Sequence, residues 1–156
     1  YQLSHCGMHA MDIMRMESGF LHWGHDISPE ENQYEAGLNF AISYKKNVDF
    51  VGKKSLLNIK KKQKKKFVML NLKESKPGEP LILHDEPIYL DGKIIGRTTS
   101  GNYSFNFNKN LAFGYVKFEE DITSIKDKIL EIEIEKNKYK AQILTKPLNQ
   151  KNYKNL

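Results

Sequence analysis

Apolar residues at the start of the chain recur at the spacing of an amphipathic helix. Successive positions are separated by steps of three, four, three and one residues, at Leu3, Cys6, Ala10, Ile13 and Met14. This spacing keeps the side chains close to one face of a helix. We therefore predict a helix over Tyr1–Ser18, which Gly19 ends because glycine readily takes the positive φ found after a helix C-terminus.

Three further element signals lie between residues 20 and 60. In SPEE, Ser28 can cap a helix, Pro29 suits its first position, and Glu31 lies three residues after the cap. The apolar stretch Gly37–Tyr44 predicts a buried strand, and KKSLLNI after Gly52 predicts a short helix.

From residue 67 the pattern changes to short alternating or apolar runs bounded by turn residues. Asp91-Gly92 is a strong hairpin signal, and Lys136-Asn137 separates the last two runs. Several short strands with local turns predict a small antiparallel β-barrel of about six strands over Phe67–Leu144. The predicted strands are Phe67–Leu72, Pro87–Leu90, Lys93–Gly96, Leu111–Phe118, Ile129–Ile134 and Tyr139–Leu144.

The positive charge is concentrated in one segment. The chain of 156 residues has 25 Lys and Arg against 19 Asp and Glu, which gives a net charge of +6. The excess is carried by six lysines, Lys60, Lys61, Lys62, Lys64, Lys65 and Lys66. A nucleic-acid-binding surface spreads basic residues and interleaves aromatic ones, whereas this run contains no aromatic residue. We therefore interpret it as a solvated connector rather than a polyanion site, and we expect no nucleic-acid partner.

The change of pattern on either side of the lysine run predicts two structural units. Residues 1–59 form an α/β piece, residues 60–66 a Lys-rich linker, residues 67–145 the barrel, and residues 146–156 a polar tail that we expect to be frayed. The predicted fold class is therefore α+β.

No apolar run approaches the roughly 20 residues of a membrane helix, and no signal-peptide pattern precedes the first helix, so we expect no membrane association. Cys6 is the single cysteine, which rules out an internal disulfide and is consistent with a reducing compartment. The chain starts on Tyr1 within a helical pattern, so we expect it to be a piece of a longer protein.

Chemically distinctive side chains are concentrated in residues 14–38, MRMESGFLHWGHDISPEENQYEAGL. Arg15 and Glu17 lie two residues apart on the predicted helix, so they face different directions and do not pair with each other. Arg15 suits a bidentate bond to a ligand carboxylate, and an internal ion pair that fixes the neighbouring loop is the simpler alternative. Trp23 likewise has two interpretations, a packed ring with one hydrogen-bonded N–H or a platform for a stacked ligand.

A metal site has only partial support. His22, His25 and Asp26 have plausible ligand spacing, and His5 and His9 lie four residues apart on the predicted helix. The intervening residues lack the glutamate of a metalloprotease motif and no cysteine cluster is present, so we expect no metal. The sequence also lacks a Walker loop, a dinucleotide-binding fingerprint and a nucleophile elbow. No self-contained catalytic set is predicted.

Several segments, taken in order, resemble the C-terminal half of the glycine cleavage T-protein family. The family's helix ending in L-R-L-E-x-G and its following loop are matched by Ala10–Phe20 (AMDIMRMESGF) and Trp23–Glu30 (WGHDISPE). Its motifs E-A-G-L-G-[WF]-A and D-F-I-G-R-E-A-L are matched by Glu35–Ala41 (EAGLNFA) and Asp49–Leu56 (DFVGKKSL). Its barrel signature G-x-[VT]-T-S-G-x-[YS] with [LI]-A-x-[GA]-Y-V is matched by Gly96–Tyr103 (GRTTSGNY) and Leu111–Val116 (LAFGYV).

Within this family, HWGHDI and TSGNY are most similar to the folate-binding tail of the dimethylglycine and sarcosine dehydrogenases. Those are flavoproteins in which an FAD-dependent amine oxidase precedes this module. The T-protein more often has Tyr at the position of Trp23, and it has Arg in an Ala-Arg-Asp where this chain has Met11. The family's folate contact at that arginine is therefore not carried over to this chain.

The resemblance implies the tetrahydrofolate-binding region of a one-carbon enzyme that acts on a small amine, with FAD only in a missing N-terminal domain or a partner subunit. The family's catalytic carboxylate lies upstream of Tyr1, so we expect no catalytic residue in this chain and no activity from the chain alone. The implied location is the bacterial cytoplasm or the mitochondrial matrix. The candidate folate-binding residues are Arg15, Glu17, Trp23, His25, Arg97 and Tyr103.

Two other functions remain open. One is the T-protein itself, an aminomethyltransferase without flavin. The other is a non-catalytic folate-binding or RNA-modification relative that uses the fold as a binding module. The lysine run favours the binding module, whereas the Trp-Gly-His-Asp loop favours the enzymes.

Overall fold

Two helices precede a six-stranded sheet in the computed structural model, which describes residues 3–46, 48–60, 63–118 and 122–149. Helices α1 and α2 span Met8–Glu17 and Lys53–Ile59, and short 3-10 helices occur at Asn39–Ala41 and Ile122–Ser124. The strands are β1 Lys65–Leu72, β2 Pro87–Leu90, β3 Lys93–Ser104, β4 Lys109–Lys117, β5 Ile129–Ile134 and β6 Asn137–Leu144.

The six strands form a closed antiparallel barrel in the order β1-β4-β3-β2-β5-β6. Alternate residues of each strand point inward, so apolar side chains fill the interior. The core includes Val68, Leu70, Ile88, Ala112, Val116, Leu130 and Ile132. The predicted α+β fold class and the barrel of about six strands are confirmed.

The hairpin predicted at Asp91-Gly92 is confirmed, whereas the turn between β5 and β6 lies at Glu135-Lys136, one residue before the predicted Lys136-Asn137. Asp91-Gly92 joins β2 to β3, and both residues have positive φ, at 50° and 77°. Strand β1 begins at Lys65, two residues before the predicted start, so Lys65 and Lys66 belong to the barrel. Lys61 and Lys62 lie outside the described residues.

Helix α1 lies against the outer face of the barrel. Met16 packs with Leu111 and Phe113 of β4, and the rings of Phe67 and Phe113 meet edge to face with centroids 5.0 Å apart. This second apolar cluster holds the C-terminal end of α1 beside strands β3 and β4. It therefore also places the loop that follows α1 against the barrel.

The prediction of a frayed tail is wrong for residues 146–149. Leu148 joins the apolar cluster around Met16, and the Asn149 N–H donates to the Glu17 carbonyl at 2.8 Å. The rest of the tail, residues 150–156, lies outside the described residues.

The predicted start of the first helix is also wrong. Residues 3–7 are exposed and not helical, and α1 begins after Gly7 at Met8. Leu3 remains 81% exposed, so the apolar spacing that suggested the helix gains no burial there. Tyr1 and Gln2 lie outside the described residues.

The capping residues predicted at Ser28 form their bonds without a helix. The Ser28 N–H and hydroxyl donate to a Glu31 carboxylate oxygen at 3.0 and 2.7 Å. The Asn32 side-chain oxygen then accepts from the N–H groups of Tyr34 and Glu35 at 3.0 and 3.1 Å, which starts a new turn. The segment is therefore a series of turns, and the helix prediction is wrong.

The strand predicted at Gly37–Tyr44 is likewise absent. The segment contains the 3-10 helix Asn39–Ala41 and pairs with no strand of the described chain, and Phe40 is 82% exposed. An apolar run alone does not distinguish a strand from other structures. The short helix predicted at KKSLLNI is confirmed as α2.

Candidate functional site

The end of α1 directs two charged side chains to different parts of the barrel. Arg15 bonds to Asp26 of the following loop and to Ser100 within β3. Glu17 instead accepts hydrogen bonds from Ser104, the last residue of β3, and from Asn106 just beyond it. The two residues do not pair with each other, as their spacing predicts. The turn after the helix needs Gly19, whose φ is +74°.

Asp26 is the centre of the polar contacts between the loop and the barrel. Its side chain is fully buried and pairs with the Arg15 guanidinium at 2.6 Å. The hydroxyls of Thr99 and Ser100 donate to its Oδ1 at 2.6 and 2.7 Å. The Tyr115 hydroxyl donates to the Asp26 carbonyl at 2.9 Å, so both β3 and β4 fix this residue.

Arg15 forms the internal ion pair that was the simpler of its two interpretations. Its Nε donates to Asp12 at 3.0 Å and its Nη2 to Ser100 at 2.9 Å, in addition to the bond to Asp26. Only 13% of its side chain is exposed. A ligand would meet little of this guanidinium on the described surface.

Trp23 and His25 lie on the turn that Asp26 anchors, and both are exposed. Trp23 is 66% exposed, so its ring is not packed in the core of the described chain. The rings of His22 and His25 lie beside each other with centroids 4.6 Å apart. The turn therefore presents aromatic surface to its surroundings.

An open cleft of about 680 Å³ lies between this loop and the outer face of β3 and β4. Its walls include His25, Glu31, Lys65, Arg97, Tyr115 and Lys117. Clefts of roughly 300–1,000 Å³ are typical of small-molecule sites. Of the six candidate residues, His25 and Arg97 line this cleft. Arg97 also forms an exposed ion pair with Asp85 at 3.1 Å.

Charge pairing organises one wall of the cleft. Lys65 donates to Glu31 at 2.8 Å and lies over the Tyr115 ring, 5.2 Å from its centroid. Burial raises the pKa of the Glu31 carboxyl, but hydrogen bonds from Lys65 and Ser28 together lower that pKa below its usual value. Burial, followed by the charges of Glu31, Asp26 and Glu35, raises the pKa of Tyr115, so its hydroxyl stays a donor at neutral pH.

The remaining candidate residues lie apart from the cleft. Glu17 is 2% exposed and accepts from the Ser104 hydroxyl at 2.6 Å. Tyr103 is 8% exposed and packs edge to face on Phe105, with ring centroids 5.1 Å apart. Whether any of the six candidate residues contacts folate stays a prediction.

Of the six cleft residues named above, sequence reasoning identified His25 and Arg97 and missed Glu31, Lys65, Tyr115 and Lys117. Lys117 and Tyr115 line the cleft because register pairs them with Lys65 and Phe67 across β1 and β4. Asp26 was considered as a possible metal ligand and as part of the Trp-Gly-His-Asp loop, but not as the residue that anchors this loop to the barrel. Its burial and its hydroxyl donors come from residues more than 70 positions away, which no local motif signals.

The described residues contain no group of three or more His, Cys, Asp or Glu side chains arranged to hold a metal ion. His5 precedes α1, so the helical pairing considered for His5 and His9 does not form. Among the described helices, none is both long and apolar enough to cross a membrane.

Comparison with known proteins finds matches over both parts of the chain. Residues 65–149 match the family model for the glycine cleavage T-protein C-terminal barrel domain, and residues 1–46 match that for the GCVT N-terminal domain. The chain is 36% identical over 143 residues to the mitochondrial dimethylglycine dehydrogenase of Rattus norvegicus, and this match covers 91% of the chain and 16% of the dehydrogenase. It is also 36% identical over 144 residues to an aminomethyltransferase of Listeria innocua, and this match covers 90% of the chain and 37% of the aminomethyltransferase.

The crystal structure of glycine cleavage system aminomethyltransferase T from Bartonella henselae has a similar fold. The TM-score is 0.76 at 24% sequence identity, and the match covers 90% of this chain and 38% of that one. The chain therefore spans well under half the length of each of these relatives.

Proposed function

This chain belongs to the glycine cleavage T-protein family, and from that premise we propose that it is the folate-binding C-terminal region of a longer FAD-dependent enzyme. The substrate is an N-methylated glycine such as dimethylglycine or sarcosine, and tetrahydrofolate accepts the one-carbon unit. Support for this branch comes from the dimethylglycine dehydrogenase of Rattus norvegicus, which matches 91% of the chain. The sequence HWGHDI points in the same direction.

The observation that carries the folate proposal is the exposed indole of Trp23 on an anchored turn. A large aromatic side chain that is 66% exposed gains little from burial in the described chain. The Asp26 side chain, which accepts from the His22 N–H at 2.9 Å, holds the backbone beneath it. A fixed, exposed indole is a suitable platform for a flat pteridine or aminobenzoyl ring.

The neighbouring cleft offers cationic partners for the carboxylates of folate. The Arg97 side chain is 71% exposed, and among the described residues its one ion pair is the surface pair with Asp85. Exposed pairs of this kind contribute about 0–1 kcal/mol, so a ligand carboxylate can replace Asp85 at little cost. Arg15 is less suited to this role because Asp12, Asp26 and Ser100 already occupy its donors.

In the full protein, bound FAD would supply two-electron oxidation of the amine, and bound tetrahydrofolate, held by Trp23 and Arg97 of this chain, would supply the acceptor for the one-carbon unit that this oxidation releases. The residues of this chain bind and orient the folate on which capture of that unit depends. Holding two reactants in the correct geometry can lower a barrier by about 7–11 kcal/mol. This chain therefore contributes by positioning, without a catalytic residue of its own.

Substitution of Trp23 in the full-length protein tests the proposal. We expect Trp23→Ala to weaken tetrahydrofolate binding by about 1–3 kcal/mol, the contribution of one aromatic stack. Calorimetric titration measures the affinity, and an artificial electron acceptor measures amine oxidation, which we expect to be nearly unchanged. Phe40→Ala is the matched control, because Phe40 is also an exposed aromatic residue, at 82%, but lies in the 3-10 helix Asn39–Ala41 and not on the turn that Asp26 anchors.

Two results would contradict the proposal. Equal loss of folate affinity in Trp23→Ala and Phe40→Ala would show that neither ring is specific to the ligand. A large fall in melting temperature of Trp23→Ala with intact folate affinity would show that the indole packs against the rest of the full-length protein.

Aminomethyltransferase activity is the second candidate function, and the Listeria innocua relative supports it. An aminomethyltransferase of this family needs no flavin. Purified full-length protein that lacks flavin absorbance and does not oxidise dimethylglycine, but binds tetrahydrofolate, would favour this alternative. Bound flavin together with oxidation of dimethylglycine would favour the dehydrogenase.

A further inference from the structure

The two oxygens of the Asp26 carboxylate have separate partners. Oδ2 accepts from the Arg15 guanidinium at 2.6 Å and from the His22 N–H at 2.9 Å, so it ties the turn to α1. Oδ1 accepts from the Thr99 and Ser100 hydroxyls at 2.6 and 2.7 Å, so it ties the same turn to the barrel. We propose that Asp26 is a positioning residue through which strand β3 sets the orientation of Trp23, an inference that rests on the proposed function.

The turn that carries Trp23 is closed on itself. The Asp26 N–H donates to the His22 carbonyl and the Gly24 N–H donates to the Ile27 carbonyl, both at 2.8 Å. These bonds make residues 22–27 a compact unit. The orientation of this unit, and of the exposed indole on it, is therefore set largely where Asp26 fixes it to the rest of the molecule.

An irregularity in β3 makes the attachment to the barrel possible. Successive residues of a regular strand point to opposite faces of the sheet. Here the pairing of β3 with β4 shifts register between Thr98 and Ser100, and the hydroxyls of Thr99 and Ser100 both reach one oxygen of Asp26. Bulges of this kind commonly re-aim a side chain beside a functional site.

The hydrogen bonds from Thr99 and Ser100 to Asp26 are strong enough to restrict the motion of the turn. The Asp26 side chain is fully buried, and hydrogen bonds to a charged group are stronger than those between neutral groups. When Arg15 pairs with Oδ2, the Thr99 hydroxyl can be removed without leaving Asp26 as an unpaired buried charge. Removal of that hydroxyl therefore loosens the turn and leaves the ion pair in place.

Thr99→Val removes the hydroxyl, and Thr99→Ser, which keeps it, is the conservative rescue. Thr98→Val is the matched control, because Thr98 lies in the same strand and donates to the Glu86 carboxylate rather than to the loop. Trp23 is the single tryptophan, so its fluorescence anisotropy in this chain reports the mobility of the turn directly. Tetrahydrofolate affinity is measured on the full-length protein.

We expect Thr99→Val to lower the anisotropy of Trp23 and to weaken folate binding about tenfold, which corresponds to about 1.4 kcal/mol. Thr99→Ser should retain both properties. Thr98→Val should lower the melting temperature without changing the anisotropy or the folate affinity. This pattern separates positioning of the turn from a general loss of stability.

Other results would overturn the inference. Unchanged anisotropy in Thr99→Val would show that the turn is held without the barrel, and equal effects of Thr98→Val would show general loosening. If the wild type binds folate and Thr99→Val binds it with the same affinity, this inference alone is contradicted. Absence of folate binding by the wild type would contradict the proposed function as well.

Discussion

At the scale of single residues, two buried carboxylates connect α1 and its loop to the barrel. Asp26 and Glu17 are 1% and 2% exposed, and hydroxyl groups of β3 donate to both. A buried charge is tolerated only when it is paired or fully hydrogen bonded. These contacts therefore specify how the loop sits on the barrel, in addition to the apolar packing around Met16.

Glu31 offers a prediction of pH dependence at this scale. Its bond to Lys65 helps to lower the folded-state pKa of the carboxyl below the ordinary value of 4.5. The resulting stabilisation is therefore fully present above about pH 4.5 and is lost as the pH falls through the lower folded-state pKa. We expect Glu31→Gln to lower the free energy of unfolding at neutral pH and to differ less from the wild type in acid.

Urea unfolding at about pH 7 and about pH 3 measures this difference. Glu30→Gln is the control, because Glu30 is exposed and its side chain bonds to none of the described residues. A difference between Glu31→Gln and the wild type that is the same at both pH values would contradict the assigned role of the carboxylate.

At the scale of elements, the end of α1 is stabilised by the chain's own C-terminal segment. Gly19 ends the helix with φ +74°, and an added Cβ there would lie 2.8 Å from Cγ of Pro147. The Asn149 N–H donates to the Glu17 carbonyl at 2.8 Å, which satisfies one of the carbonyl groups left free at the helix end. Residues 146–149 therefore act as a cap on α1.

Substitution of Gly19 tests this cap. The left-handed backbone alone costs a non-glycine residue about 1–2 kcal/mol, and Gly19→Ala adds a clash with Pro147. We expect Gly19→Ala to lower the free energy of unfolding by more than Gly78→Ala, since Gly78 has φ +77° but nothing within 4 Å of its Cβ position. Equal losses in urea unfolding would show that the packing on Pro147 contributes nothing.

At the scale of the whole molecule, the barrel and the N-terminal part differ in how they are stabilised. The barrel is closed, with its own apolar core. Apart from the end of α1, the N-terminal part has many exposed apolar residues, including Met8, Met11 and Val51. It is attached to the barrel by the end of α1, by the Asp26 loop, by the Lys65–Glu31 bond and by the Phe67 N–H, which donates to the Glu35 carbonyl at 2.7 Å. Because the barrel strands close on one another without it, the barrel is the more independent unit of the two.

Limited proteolysis tests this division. We expect trypsin to cut first among Lys60, Lys61, Lys62 and Lys64, because Lys65 is bonded to Glu31 and lies in strand β1. Mass spectrometry should then show a resistant fragment that begins close to Lys65. Early cleavage within residues 85–96 would contradict the independence of the barrel.

The sequence alone determined the barrel and the family. Alternating strands and the Asp91-Gly92 turn are local signals, because strand period and turn chemistry depend on neighbouring residues. The end of α1 at Gly19 and the short helix α2 were also predicted from neighbouring residues alone. The helix predicted at Ser28 and the strand predicted at Gly37–Tyr44 failed because the same local signals also occur in turns and exposed segments.

Only the tertiary structure decided what the polar residues do. Arg15 and Asp26 lie 11 residues apart, and Ser100 lies 74 residues beyond Asp26, yet the three side chains form one hydrogen-bonded group. Barrel closure and the bulge in β3 bring them together, and neither depends on residues near Asp26 in the sequence. Burial then determines their role, since a carboxylate removed from water must be satisfied by whichever donors the fold places beside it.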